Sequence, residues 1–341
     1  MLEKDIIVCY NYIKIIDIWK VNVKITVVGP GRWGSCITWY LNKIGHEITL
    51  YGRESSVAMQ KYLNGRQGEY LYMPERVNLS TDLCSAVSTC EVIIISIPSQ
   101  SLRDFVLQLN ECGVENKYIV LCMKGIDIQT KKRLSQIAKD ALPASCKIAV
   151  WLGPGHVQEI YGGIPNCMVI DSEDGEVSKF LVGAFSGDII RFYYGDDILG
   201  NEIGAAAKNV IGIAAGMLDG LKLTTLKGPL MARGTREIAR LIKALGGNEL
   251  SAYGLCHLGD YEATVFSEFS HNRKFGELFV KGEKFDHLAE GYYTAKAIVE
   301  LAESVGVELP ICTAVYNALY CNLPVPDAIS MLFSRAIKME F

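Results

Sequence analysis

The chain has 341 residues, half of them hydrophobic and 32 of them glycine, which outgrows one core and fits a two-domain globular protein rather than a disordered one. A formal net charge of −4 excludes nucleic-acid binding through bulk charge, but leaves room for a local basic site toward a phosphorylated small molecule. No apolar run reaches the roughly 20 residues of a membrane span. The 11 cysteines include no C-x-x-C pair; buried free thiols in the cytoplasm are expected, rather than disulfides or a zinc site, and no metal is expected.

Residues 1–22 are apolar but interrupted by Glu3, Lys4, Asp5, Lys14 and Asp17, unlike a signal peptide. They read as an N-terminal extension: an added strand or helix, or a start codon placed too early. The first strong strand covers residues 23–28 and runs into Gly29-Pro30-Gly31-Arg32-Trp33-Gly34. A helix is expected over residues 35–44, stopped by Gly45, and a second strand over residues 47–51. Further strands are expected at residues 92–97, 118–123, 147–152, 167–170 and 189–193. Strands alternating with helices predict a doubly wound, largely parallel sheet. Past residue 200 the pattern is helical to the end, with small residues in Gly204-Ala205-Ala206-Ala207 and a helix over residues 294–305 stopped by Gly306. The reading is an α/β cofactor domain over residues 23–199 and an all-helical substrate domain over residues 200–341.

The Gly29–Gly34 string fits G-x-G-x-x-G between a strand and a helix, the context of a Rossmann-type dinucleotide site. Gly29 permits the tight turn, Gly31 lets a pyrophosphate approach the backbone, and Gly34 lets the helix pack on the sheet, its N-terminus facing the phosphates. Past the second strand stand Arg53 and Glu54. Arg53 is placed either to pair with a 2′-phosphate, which leans towards NADP over NAD, or as a solvated loop arginine; Glu54 is placed to reach a ribose. Lys208 lies in an apolar helix, where it is either a buried acid and base or a lysine snorkelling to the surface.

In order along the chain stand Gly29–Gly34, Ile97-Pro98-Ser99-Gln100, Lys124-Gly125-Ile126, Gly153-Pro154, Ala207-Lys208-Asn209-Val210, Arg233-Gly234, Leu258-Gly259-Asp260, Ser270-His271-Asn272-Arg273, and Glu290-Gly291 with Thr294-Ala295. This ordered set resembles the bacterial-type NAD(P)-dependent glycerol-3-phosphate dehydrogenases. The resemblance implies a cytoplasmic enzyme, compatible with a homodimer, that reduces dihydroxyacetone phosphate with NAD(P)H and supplies glycerophospholipid synthesis. It assigns Lys208 as the acid/base, Asn209 as a substrate-orienting residue, Lys124 as a charge facing both cofactor and substrate, and Asp260 as the holder of the Lys208 ammonium. It implies cofactor contacts from Gly29, Gly31, Arg32, Trp33, Gly34, Arg53, Lys124, Val157, His271, Leu288 and Glu290. It implies substrate contacts from Lys124, Gly153, Gly155, Lys208, Asp260, Thr264, Ser270, His271 and Asn272, with Ser270 and Asn272 on the phosphate. Arg273 and Lys274 read instead as a solvated basic face.

The chain departs from the family pattern at the ligand end. His271 stands where arginine is usual, losing the permanent charge and fork geometry that bridge substrate phosphate and cofactor. Gly155-His156 replaces Ser or Thr followed by Phe, Arg32 stands where a small polar residue is common, and residues 275–290 are shorter than usual. Two alternatives follow: a related dehydrogenase acting on another small phosphorylated ketone or a 2-hydroxy acid, and a non-catalytic NAD(P)-binding regulator.

Overall fold

A computed structural model describes residues 22–337 and 339. The N-terminal extension, apart from Asn22, lies outside the described residues, as does Cys9.

The first half alternates strand and helix: β1 (Lys24–Val28), α1 (Arg32–Lys43), β2 (Glu47–Tyr51), α2 (Val57–Gly65), β3 (Asn78–Ser80), α3 (Leu83–Ser88), β4 (Val92–Ile95), α4 (Leu102–Glu111), β5 (Tyr118–Leu121), α5 (Leu134–Ala141), β6 (Lys147–Leu152), α6 (Val157–Tyr161), β7 (Asn166–Asp171), α7 (Gly175–Phe185) and β8 (Ile190–Tyr194). The strands form one eight-stranded sheet in the order β3-β2-β1-β4-β5-β6-β7-β8. All neighbours pair parallel except β6 and β7, which are antiparallel. Every residue of β4 is buried, as expected of a strand covered on both faces. The chain moves outward from β1 to β3 and then returns to place β4 beside β1. That reversal opens a crevice at the carboxyl ends of β1 and β4, where open α/β sheets bind ligands.

The second half is helical: α8 (Ile198–Gly220), α9 (Lys227–Ala244), short 3-10 and π turns between residues 249 and 266, α10 (His271–Lys281), α11 (Glu290–Ser304), α12 (Pro310–Tyr320) and α13 (Val325–Phe333). No described residue after Tyr194 lies in a strand. α8 is buried on all sides along most of its length, which makes it the axis of this half. Glycines on both α8 and α10 let the two helices come unusually close. A Cβ at Gly216 would sit 1.8 Å from the Arg273 carbonyl oxygen, and one at Gly276 would sit 2.1 Å from that of Ile213.

Three features differ from the sequence expectations. α1 starts at Arg32, directly on the glycine loop, because Gly31 itself serves as the N-cap. β3 was not expected; its three residues, Asn-Leu-Ser, are too short and polar to show a strand pattern. Cys84 and Cys112 form a disulfide that ties α3 to the residue closing α4, correcting the expectation of free thiols. A separation of 28 residues gives no cue, since only the fold brings these helix ends together. Cys36, Cys90, Cys122, Cys146, Cys256 and Cys312 are buried free thiols. No described helix is long and apolar enough to cross a membrane.

Candidate active site

The crevice begins at the glycine loop. Gly29 adopts φ +103°, and a Cβ there would lie 2.2 Å from the Ser96 carbonyl oxygen just past β4, so only glycine lets β1 turn here. A Cβ at Gly31, by contrast, would meet nothing within 4 Å, so the backbone borders open space. No side chain caps α1, which leaves its first N–H groups for an anion. This cradle fits a dinucleotide pyrophosphate. Trp33 packs edge-on against Trp151 and bears on the next loop: a Cβ at Gly155 would already stand 3.3 Å from its ring. Glycine at 155 therefore gives Trp33 its room. Arg53 and Glu54 are exposed beyond β2, and Val157 opens α6 with its side chain buried in the sheet core.

Opposite the loop, three ionisable groups from distant segments meet. Lys124 follows β5, Lys208 lies midway along α8, and Asp260 sits in the 3-10 turn Leu258–Asp260. The same Asp260 oxygen, Oδ2, accepts from Lys124 Nζ at 2.6 Å and is paired with Lys208 Nζ at 2.8 Å. Lys124 Nζ also donates to the Gly153 carbonyl at 2.6 Å, and Lys208 Nζ to Thr264 Oγ1 at 2.8 Å. Asp260 and Lys208 are 1% and 8% exposed and Lys124 is partly exposed, so two ammonium groups and one carboxylate meet at the edge of the interior with one net positive charge. Burial, reinforced by the neighbouring Lys124 charge, pulls the Lys208 ammonium down from 10.5 to about 8 against the opposing pull of Asp260. Such a group can both give and take a proton near neutral pH.

A network of amides joins this triangle to the starts of α10 and α11. Asn209 donates to the Lys124 carbonyl at 3.2 Å, and its own Oδ1 accepts from Asn272 at 3.0 Å. Asn272 Oδ1 accepts from the Gly291 N–H at 2.9 Å. Ser270 is the N-cap of α10, its hydroxyl accepting from Arg273 N–H. Thr264 donates to the Asp260 carbonyl, which fixes the turn holding the carboxylate. Glu290, the first residue of α11, accepts from both the N–H and the hydroxyl of Ser99, across from β4. Burial raises its carboxyl above the ordinary range.

His271 opens α10 and reaches the glycine loop. Its Nδ1 lies 3.3 Å from the Leu288 carbonyl, and its Nε2 lies 3.4 Å from Arg32 Nη1. The neutral tautomer with the proton on Nδ1 satisfies both contacts, donating to Leu288 and accepting from Arg32. Burial, then the Arg32 charge, lowers the His271 pKa and favours this neutral form. Arg32 also lies over the Tyr70 ring, 5.1 Å from its centroid.

The fold thus brings Lys124, Gly153, Lys208, Asn209, Asp260, Thr264 and Asn272 into one network. Arg53 stays at the surface away from it, and Leu288 contributes its carbonyl to His271 rather than its exposed side chain. Arg273 corrects the solvated-face reading: its Nε donates to the half-buried Asp219 at 2.6 Å, and Lys227 joins the same carboxylate at 2.7 Å. Lys274 does stay outside, paired with Glu277. Sequence reasoning missed the buried His257, whose Nδ1 meets the Gly204 carbonyl and whose Nε2 accepts from Tyr261, each at 2.8 Å. Burial drives its pKa down to about 4, so it stays neutral and pins the Asp260 turn to α8. Gln100 was also missed as a support; it donates to the Ile126 carbonyl and accepts from Ile128 N–H, bracing the loop after Lys124. Its place in Ser99-Gln100 was a signal, but one without a visible partner.

Residues 24–178 match the family described as NAD-dependent glycerol-3-phosphate dehydrogenase N-terminus, and residues 197–330 match its C-terminus counterpart. The chain is 34% identical to a glycerol-3-phosphate dehydrogenase [NAD(P)+] of Chlorobium phaeobacteroides, over 93% of this chain and 99% of the relative. It is 33% identical to one of Fusobacterium nucleatum, over 93% and 98%. The solved glycerol-3-phosphate dehydrogenase of Coxiella burnetii superposes with a TM-score of 0.85 at 26% identity, covering 92% of this chain and 99% of that one.

Proposed function

We infer the activity from the premise that this chain belongs to the NAD-dependent glycerol-3-phosphate dehydrogenase family: it is an NAD(P)-dependent oxidoreductase that reduces dihydroxyacetone phosphate to sn-glycerol 3-phosphate. Its product feeds glycerophospholipid synthesis. The observation that carries this reading is the Lys124–Asp260–Lys208 triangle facing the glycine-loop crevice. A regulator that only sensed the cofactor would have no use for two lysines on one buried carboxylate. That arrangement also argues against the non-catalytic alternative.

In this reading residues 23–199 hold the cofactor and residues 200–341 hold the substrate. Gly29, Gly31, Arg32, Trp33 and Gly34 would border the dinucleotide, and Arg53 and Glu290 would add side-chain contacts to it. When bound, the reduced nicotinamide supplies the hydride. As the ketone oxygen gains charge, Lys208 delivers the proton that completes the alcohol, while the Lys124 ammonium stabilises the charge electrostatically. Asp260 keeps both ammonium groups aimed at one point. Asn209 orients the substrate, and Ser270 and Asn272, with the first N–H groups of α10, meet its phosphate. A cytoplasmic location and a homodimer are compatible with this reading; sedimentation velocity checks the second.

The decisive assay follows loss of reduced-cofactor absorbance with dihydroxyacetone phosphate and with unphosphorylated dihydroxyacetone. A kcat/KM at least 100-fold higher for the phosphate ester is expected, on the order of the loss when a charged contact is removed. Comparable values for the two ketones would remove the phosphate from the reading.

A further inference from the structure

We propose that Arg32 and His271 form one anion-binding unit across the domain junction, in which His271 steers the Arg32 guanidinium onto the phosphate of the ketone substrate. This rests on the function proposed above and names the residue that supplies the fixed positive charge for that phosphate.

Arg32 is the first residue of α1 and His271 the first residue of α10, so the 3.4 Å contact between their side chains links the starts of two helices from different domains. Among the described residues Arg32 contacts the His271 ring nitrogen and the Tyr70 ring, and pairs with no carboxylate. Glu69, hydrogen-bonded to Tyr70 and acting on the His271 charge, forms no ion pair with Arg32, so the Arg32 charge is open to a ligand. The guanidinium lies between Tyr70 of the first domain and His271 of the second. The next residue along α10, Asn272, hydrogen-bonds Asn209, which adjoins Lys208. In the proposed arrangement a three-carbon substrate with its carbonyl at Lys208 directs its phosphate along this amide link towards Arg32.

His271 does two things that an arginine at that position could not. It accepts a hydrogen bond, since its Nδ1 proton is committed to the Leu288 carbonyl, and it adds no charge of its own. Its ring is held by Phe285 at 5.9 Å and His287 at 5.3 Å. Two guanidinium groups at the same spacing would repel. Arginine at 32 with histidine at 271 is thus a matched pair, with the permanent charge delivered from the cofactor side of the cleft.

The test is a double-substitution cycle on the full chain with saturating NADPH, comparing dihydroxyacetone phosphate with dihydroxyacetone. Provided that the unaltered enzyme prefers the phosphate ester, R32S should raise the KM for that ester at least tenfold. Its KM for NADPH, whose glycine loop Arg32 belongs to, and its KM for dihydroxyacetone should rise by a smaller factor than the KM for the ester. H271R alone should also raise the KM for the ester, by setting two guanidinium groups against each other. R32S/H271R should return it to within threefold of the original, because one charge is restored from the other side. R32Q, which keeps a donor for His271 but no charge, should behave like R32S and stands in for it if R32S fails to fold. The proposal is overturned if R32S and R32Q leave the KM for the ester within twofold, if they raise only the KM for NADPH, or if the double variant is no better than R32S. An original enzyme without preference for the ester would instead overturn the function reading.

Discussion

Lys208 is held between opposing demands. Burial and the nearby Lys124 charge favour its neutral amine, Asp260 favours its ammonium, and the balance falls at about 8. Ketone reduction needs the protonated form, so its rate should decline as pH rises through that value. Alcohol oxidation needs the free amine and should decline as pH falls through it. Pre-steady-state rates in the two directions check this; parallel profiles would remove Lys208 from the proton transfer. Lys208→Ala should lower kcat by about 100-fold or more with little change in cofactor affinity. Lys208→Arg should not restore it, because guanidinium does not release its proton near neutral pH. Arg53 offers a separate test at this scale: Arg53→Ala should raise the KM for NADPH well above that for NADH if the side chain meets a 2′-phosphate, and equally for both if it is only a loop residue. Lys208 was visible in the sequence because a lysine among glycines and alanines is out of place. Asp260 was legible as its partner only through the ordered motif set, not through local chemistry. The Arg32–His271 contact was hidden by a separation of 239 residues, and His257 showed no pattern marking it as a support.

At the scale of elements, the α8–α10 contact carries the site. Asn209 belongs to α8 and Asn272 to α10, and their hydrogen bond holds only while the helices stay close enough for Gly216 to face the Arg273 carbonyl. Gly216→Ala must push α10 outward, an overpacking cost of about 1–3 kcal/mol or more. A fall of several degrees in Tm is expected, together with a raised substrate KM, because the displaced α10 also carries Ser270 and His271. An unchanged Tm would show that the helices have slack. The strand–loop–helix around Gly29, the inner strands and the helical second half were readable from composition and period, since each is dictated by local chemistry or burial on both faces. β3 was not readable, being three residues on a sheet edge. The Arg273–Asp219–Lys227 cluster was hidden for another reason: only the packing of α10 on α8 turns Arg273 inward.

On the scale of the whole molecule, Glu290 is one of the polar links between the two halves, accepting both the N–H and the hydroxyl of Ser99. It lies among groups that desolvate it, and its carboxyl is raised, with no cation offsetting the loss of water. The sign of its effect on stability follows. A carboxyl with a folded pKa above the unfolded value favours the folded state while it is protonated, below the unfolded range near about 4.3. That contribution is lost as pH rises through the folded value, so near neutral pH the charged form costs stability. Glutamine keeps the shape, an acceptor for the Ser99 N–H and a donor for its hydroxyl, without the charge. Glu290→Gln should therefore melt a few degrees above the unaltered protein near pH 7.5, the gap closing as pH falls below about 4. Under the proposed function it should also raise the KM for the reduced cofactor, since a carboxylate kept at a cost to stability has its use in the cleft. A variant that melts lower than the original near neutral pH, with a difference that does not change with pH, would show instead that the carboxylate itself holds the two halves together.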